Sequence, residues 1–147
     1  MYNVALALHL LAATIWTGGH IILACSILPY AIKNKDLPFL KQFESCYEKV
    51  GMPALLIQVM TGMYLAKIML PKGSVLFDFA DPMSKLISIK LILLAITAVL
   101  ALDARLRIIP KLSPSTVTAL AWHIVPVSIV SVLFAVVGVS FRTGWFY

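Results

Sequence analysis

Long apolar stretches separated by short polar segments make up almost the whole chain. Hydrocarbon about 30 Å thick is crossed by about 20 helical residues rising 1.5 Å each. Four runs meet that length, at residues 2–31, 50–70, 84–106 and 115–142. Pro29 and Pro38 bracket the first exit, Pro71 and Gly73 close the second run, and "PKLSPS" separates the third from the fourth. Pro114 and Ser115 suit a helix start, with Ser113 as its cap. The pattern predicts an all-α integral membrane protein, a single domain over residues 1–147 built as a four-helix bundle. The first run is too long for a signal peptide and lacks its basic leader, so it is expected to remain as a mature span.

Composition sharpens this picture. Of 147 residues, 61% are hydrophobic and 12% charged, against roughly a quarter charged in a soluble domain. The deficit makes the lipid bilayer the surrounding medium. The net charge of +6 is scattered among apolar runs and makes no patch for nucleic acid. Lys33, Lys35, Lys41 and Lys49 fall in the first connection, and Arg105, Arg107 and Lys111 in the third. Lys72 and Lys85 in the second are offset by Asp78 and Asp81. The positive-inside tendency then puts connections one and three in the cytoplasm and both termini on the outer, periplasmic side of a bacterial inner membrane. Cys25 and Cys46 form no CxxC or metal-like spacing and are expected to be unpaired.

Ionisable residues inside a span are costly and need a reason. "HLLAATIWTGGH" carries His9 and His20 eleven positions apart. Eleven residues turn a helix through about 1100°, so the two imidazoles return to one face about 16 Å apart, with Ala13 and Trp16 between them. By depth, His20 and His123 share a level toward the cytoplasmic face, and His9 and Lys90 share an outer one. An inner His–His pair and an outer His–Lys pair follow as expectations. Facing imidazoles in a bundle core suit haem b or copper. The metal ligands expected are His20, His123 and His9, with Lys90 and Trp16 also lining the cofactor site.

Gly18, Gly19 and Ala12 would admit a flat ring or a neighbouring helix, and Pro126 would free the Trp122 carbonyl near His123. The plainer readings are a histidine merely bonded to a neighbouring helix, small residues that only pack helices, and a Lys90 that snorkels outward or pairs with Asp81. Met60 and Met63 with His9 could build an outer copper site, though Met also fills helix packing. Gln58 and Thr61 suit either ligand support or interhelical bonds. Asp103 and Arg105 read as an interfacial charge pair. No Ser–His–Asp set, phosphate loop or paired carboxylate can be assembled, which excludes hydrolytic classes.

"LHLLAATIWTGGH", "MTGMYLAKIM" and "KLISIKLILLAITAVLALDARLRIIPKL" resemble the copper-resistance protein D (CopD-like) membrane family over roughly residues 5–112. The resemblance implies a minimal four-helix member lacking the extra helices of larger ones. Leu8-His9, Trp16 and Lys90-Leu91 also resemble HemJ-type protoporphyrinogen oxidases of similar size. This chain departs from that group in having "WHIVP" without an acid in the last helix and "LDARLR" where Tyr-His is usual. Together the resemblances imply a bundle that handles haem or copper near His9 and Lys90.

The expected function is a b-type haem-binding membrane protein engaged in electron transfer or membrane redox chemistry, with a quinone or a redox partner protein. Copper transport and protoporphyrinogen oxidation are the alternatives, and whether the chain is itself an oxidoreductase stays open. A homodimer is compatible with the sequence, but nothing in it argues for one.

Overall fold

The computed structural model describes residues 1–70, 75–111, 113 and 116–146. Four helices run through them, α1 (Tyr2–Asn34), α2 (Leu37–Met69), α3 (Pro82–Lys111) and α4 (Val117–Thr143), each long and apolar enough to cross a membrane. No strand occurs among the described residues. The chain is an all-α, multi-pass membrane protein.

Prolines and caps set the helix geometry. Pro29 lacks an N–H and its ring crowds the carbonyl four residues back. The helix widens into a π segment over Leu23–Ile27 immediately before the Leu28–Asn34 turns, which relieves that crowding. Pro110 has the same effect on α3, which passes through a π segment at Ala104–Ile108 and ends in a 3-10 turn at Ile109–Lys111. Helix α4, by contrast, stays α-helical through Pro126.

The first connection is far shorter than its hydropathy suggests. Lys35 adopts a left-handed conformation (φ 53°), and the Asp36 N–H closes on the Ala31 carbonyl at 3.0 Å. Asp36 then caps α2 by accepting from the Phe39 N–H at 3.1 Å, with Pro38 in the first turn. Residues 37–49 are therefore helix, and α2 begins at Leu37 rather than near residue 50. Their polar side chains conceal an amphipathic pattern whose apolar members, Leu37, Leu40 and Phe43, pack against α1 and α4.

Asp81 caps α3 at the Ser84 N–H (2.8 Å) with Pro82 following. Pro71, Lys72, Gly73, Pro114 and Ser115, which the sequence assigned to helix ends or connections, lie outside the described residues. The Ser113 carbonyl accepts from the Thr116 and Val117 N–H groups as α4 begins. Gly144, left-handed at φ 69°, ends α4 with its N–H on the Ser140 carbonyl at 2.8 Å.

Helix α1 packs on α2 and α4, and α3 packs on α4. One core cluster, at the end carrying the Lys35–Asp36 turn, joins Leu23, Leu28 and Ala31 of α1 to Leu40 of α2 and Val117, Leu120 and Ile124 of α4. A second joins Leu86 and Leu93 of α3 to Val130 and Val137 of α4. Buried hydroxyls serve their own helices: Ser88 donates to the Ser84 carbonyl and Thr97 to that of Leu93. Between α1 and α4 two hydroxyls cross, Ser128 to the His20 carbonyl (3.0 Å) and Thr17 to that of Ser131 (3.2 Å). Small polar residues let α1 and α4 approach closely and bond across the seam.

Candidate functional site: three imidazoles anchored through Nδ1

Along α2, positions 40, 43, 47, 51, 54, 58, 61 and 65 follow one another in three- or four-residue steps, which lays them in one stripe. Tyr47, Gln58 and Thr61 of that stripe meet the histidine face of α1. The Tyr47 hydroxyl donates to the Trp16 carbonyl at 2.9 Å, and its oxygen lies 3.2 Å from His20 Nδ1. The ring lies so close over Gly19 that a Cβ there would sit 2.0 Å from Tyr47 Cε2. Gly19 is thus required at this crossing, whereas a Cβ at Gly18 meets nothing within 4 Å. The flat ring that this stretch admits is the tyrosine of the neighbouring helix.

His20 is buried, its ring 4.4 Å from that of Trp16 (centroid to centroid) and edge-on to Tyr47. Its Nδ1 lies 2.9 Å from the Trp16 carbonyl. A carbonyl only accepts, so Nδ1 carries the proton and Nε2 presents a lone pair. His9 has the same form. Its Nδ1 lies 3.0 Å from both the Gln58 carbonyl and Thr61 Oγ1, and the Thr61 hydroxyl spends its single hydrogen on the Ile57 carbonyl. Both partners accept, so His9 Nδ1 is protonated and, in the neutral ring, its Nε2 presents a lone pair. Gly62 makes room for this ring, since a Cβ there would sit 3.1 Å from His9 Cε1.

His123 differs. Its Nδ1 lies 2.9 Å from the Ala119 carbonyl, and its Nε2 lies 2.8 Å from Asp103 Oδ2 on α3. Asp103 Oδ1 pairs with Arg107 Nη1 at 3.1 Å, while Arg105 pairs with Glu48 of α2. The Asp103–Arg105 pair expected from the sequence is not formed. Residues two apart point to different sides of a helix, whereas residues four apart share one.

The structure does not bring the rings of His20 and His123 together: the first faces Tyr47 on α2 and the second Asp103 on α3. His9 and Lys90 are likewise not bonded to each other. His9 bonds α2, while the Lys90 ammonium lies 5.3 Å from the Phe141 ring centroid on α4, beside Gly138. Asp81, a suggested partner for Lys90, caps α3 instead. Met60 and Met63 are 64% and 68% exposed on the outward side of α2 and do not join His9. Cys25 and Cys46 are free and exposed.

These contacts test the fit of a metal or haem. His9 and His20 have the oriented Nδ1–H that accompanies a ligating imidazole. His123 does not, because Asp103 occupies its Nε2. Among the described residues no group of three or more His, Cys, Asp or Glu side chains is placed to hold a metal ion. Grooves flank the bundle, one of about 340 Å³ between α1 and α2, floored by Ala12 and Ala54 with Lys49 at one end. The other, of about 220 Å³, lies between α3 and α4. Neither is lined by an imidazole.

Tyr47 and the Asp103–His123 contact are the functional-looking features that sequence reasoning missed. The three- and four-residue stripe along α2 was the available signal for Tyr47. No family model, curated protein or solved structure matches the chain.

Proposed function

We propose that this chain is a b-type haem-binding protein of the bacterial inner membrane that takes part in electron transfer, with His20 as the protein ligand. The observation that carries the reading is the His20 Nδ1 contact with the Trp16 carbonyl at 2.9 Å, which leaves Nε2 as the ring nitrogen available to ligate inside an apolar bundle. Bound haem would supply a one-electron couple, and this chain would set its ligation, burial and surroundings. Trp16 packs on the imidazole and Tyr47 closes its other side, so the ring keeps one orientation. The Tyr47 hydroxyl shares the Trp16 carbonyl and reinforces that turn of α1.

His9, of the same tautomer and about 16 Å along the helix, is too distant to share one iron with His20. It marks a second donor position, where Lys90 supplies the cationic side chain of the outer half for a quinone or another exchangeable substrate. His123 is assigned no ligand role.

The test is a visible spectrum with metal analysis on the detergent-purified full chain, produced in haem-replete cells. The reading expects a haem absorption band with bound iron, lost in His20→Ala and kept in His123→Ala. Colourless, iron-free protein would overturn it, and so would an unchanged spectrum in His20→Ala. Stoichiometric copper without haem would favour copper handling. Formation of fluorescent protoporphyrin from protoporphyrinogen by the purified protein would favour the oxidase.

A further inference from the structure

We propose that His123 and Asp103 form a proton-binding site, in which one proton is held between Nε2 and Oδ2 and rests on the imidazole. His123 Nδ1 is 2.9 Å from the Ala119 carbonyl, which can only accept, so that nitrogen is protonated. A neutral ring would then turn the Nε2 lone pair toward a carboxylate oxygen 2.8 Å away. Two lone pairs repel at that distance, so the contact requires a proton. Arg107 donates to the other carboxylate oxygen, Oδ1, at 3.1 Å, which favours the ionised carboxylate and leaves the proton on the ring. The pair is an imidazolium–carboxylate bridge from α4 to α3.

The surroundings suit a site that both holds and exchanges its proton. The His123 and Asp103 side chains are 17% and 32% exposed, close to the end of the bundle that carries the Lys35–Asp36 turn. From α1 and α2, the buried side chains packed against the start of α4 are Leu23, Leu28, Ala31 and Leu40, none of them charged. The charged groups of α2 at this end are Lys41, Glu44, Glu48 and Lys49, of which Glu48 pairs with Arg105 of α3. Arg107 is the charged group bonded to the pair itself. When the proton leaves, the ring keeps a hydrogen for only one of its two contacts, the Ala119 carbonyl or Asp103. The ligand is a proton taken from water at that end, and the site does not depend on what His20 binds.

Nitrogen NMR of the full chain, labelled at histidine and held in lipid nanodiscs near neutral pH, tests this directly. The expected result is one ring of three with both nitrogens protonated and two rings with one. His123→Gln should remove the doubly protonated signals. Asp103→Asn should return that ring to a single proton, because an asparagine amide brings its own N–H to Nε2. Should His123→Gln fail to fold, His9→Gln and His20→Gln give the same assignment by subtraction. A singly protonated His123 in the unsubstituted chain overturns the proposal, as does a doubly protonated ring that persists in Asp103→Asn.

Discussion

The α1–α2 seam and the α3–α4 seam solve the same problem, a polar side chain among helices in lipid, in opposite ways. In the first, His9 and His20 meet only acceptors through Nδ1 and remain neutral, and glycines on both helices make room for aromatic rings. In the second, ionisable groups meet partners from the neighbouring helix: Lys90 Nζ lies over Phe141, and His123 contacts Asp103 and through it Arg107. Burying a charge is costly unless an opposite charge or a polarisable face meets it. All three imidazoles begin from the same anchor, Nδ1–H on a carbonyl. What lies opposite Nε2 decides whether the ring is a donor or a proton carrier.

Removing one ring from each seam separates the two roles most clearly. His20→Ala should abolish bound haem altogether, and His123→Ala should leave the spectrum and the iron content unchanged. Loss of haem in both would mean that the two rings act on one group and that the Asp103 bond yields to it. Absorption spectra of the two purified variants, read side by side, decide between these outcomes.

The α1–α2 seam can also be broken sterically. Gly19→Val puts carbon where the Tyr47 ring already lies, 2.0 Å away at the Cβ alone. Overpacking of this kind costs about 1–3 kcal/mol, read as a lower thermal midpoint in detergent. Adding Tyr47→Ala should recover much of that loss, since the clash is with this ring. Gly18→Val, which meets nothing within 4 Å, should shift the midpoint far less.

The four spans were legible because each apolar run reaches bilayer length, and the prolines near their ends locate the bends. The α1 histidine stripe was legible from helical period alone. The extent of α2 was not, because a hydropathy window averages the polar and apolar faces of residues 37–49 and reports neither. Pairing was the least legible property. Depth arguments placed His20 level with His123, but depth says nothing about azimuth, and the two rings leave the α1–α4 contact toward different helices. Asp103 could have been assigned by spacing: Arg107, one turn on, shares its face, whereas Arg105 does not.

On the α3–α4 side, Asp103→Ala leaves Arg107 and the His123 ring without their common acceptor. A buried group left unsatisfied costs about 1–3 kcal/mol; with the pair partly open to water the loss should fall toward the lower end, again read as a lower midpoint. Asp103→Asn should cost less, because its amide still bonds both neighbours. Equal losses for the two would mean that volume rather than hydrogen bonding holds the contact.

The smallest effect is expected at Glu48 and Arg105, a bridge between α2 and α3 at the same end of the bundle. Both side chains are mostly in the open, at 42% and 59% exposure. Water and salt screen such a pair, and two long side chains lose freedom to form it. Glu48→Gln should therefore leave the thermal midpoint unchanged at ordinary ionic strength and lower it slightly, if at all, when salt is withdrawn. A loss matching that of Asp103→Ala would sink the distinction between a half-buried bridge that joins α3 to α4 and a screened one that joins α2 to α3.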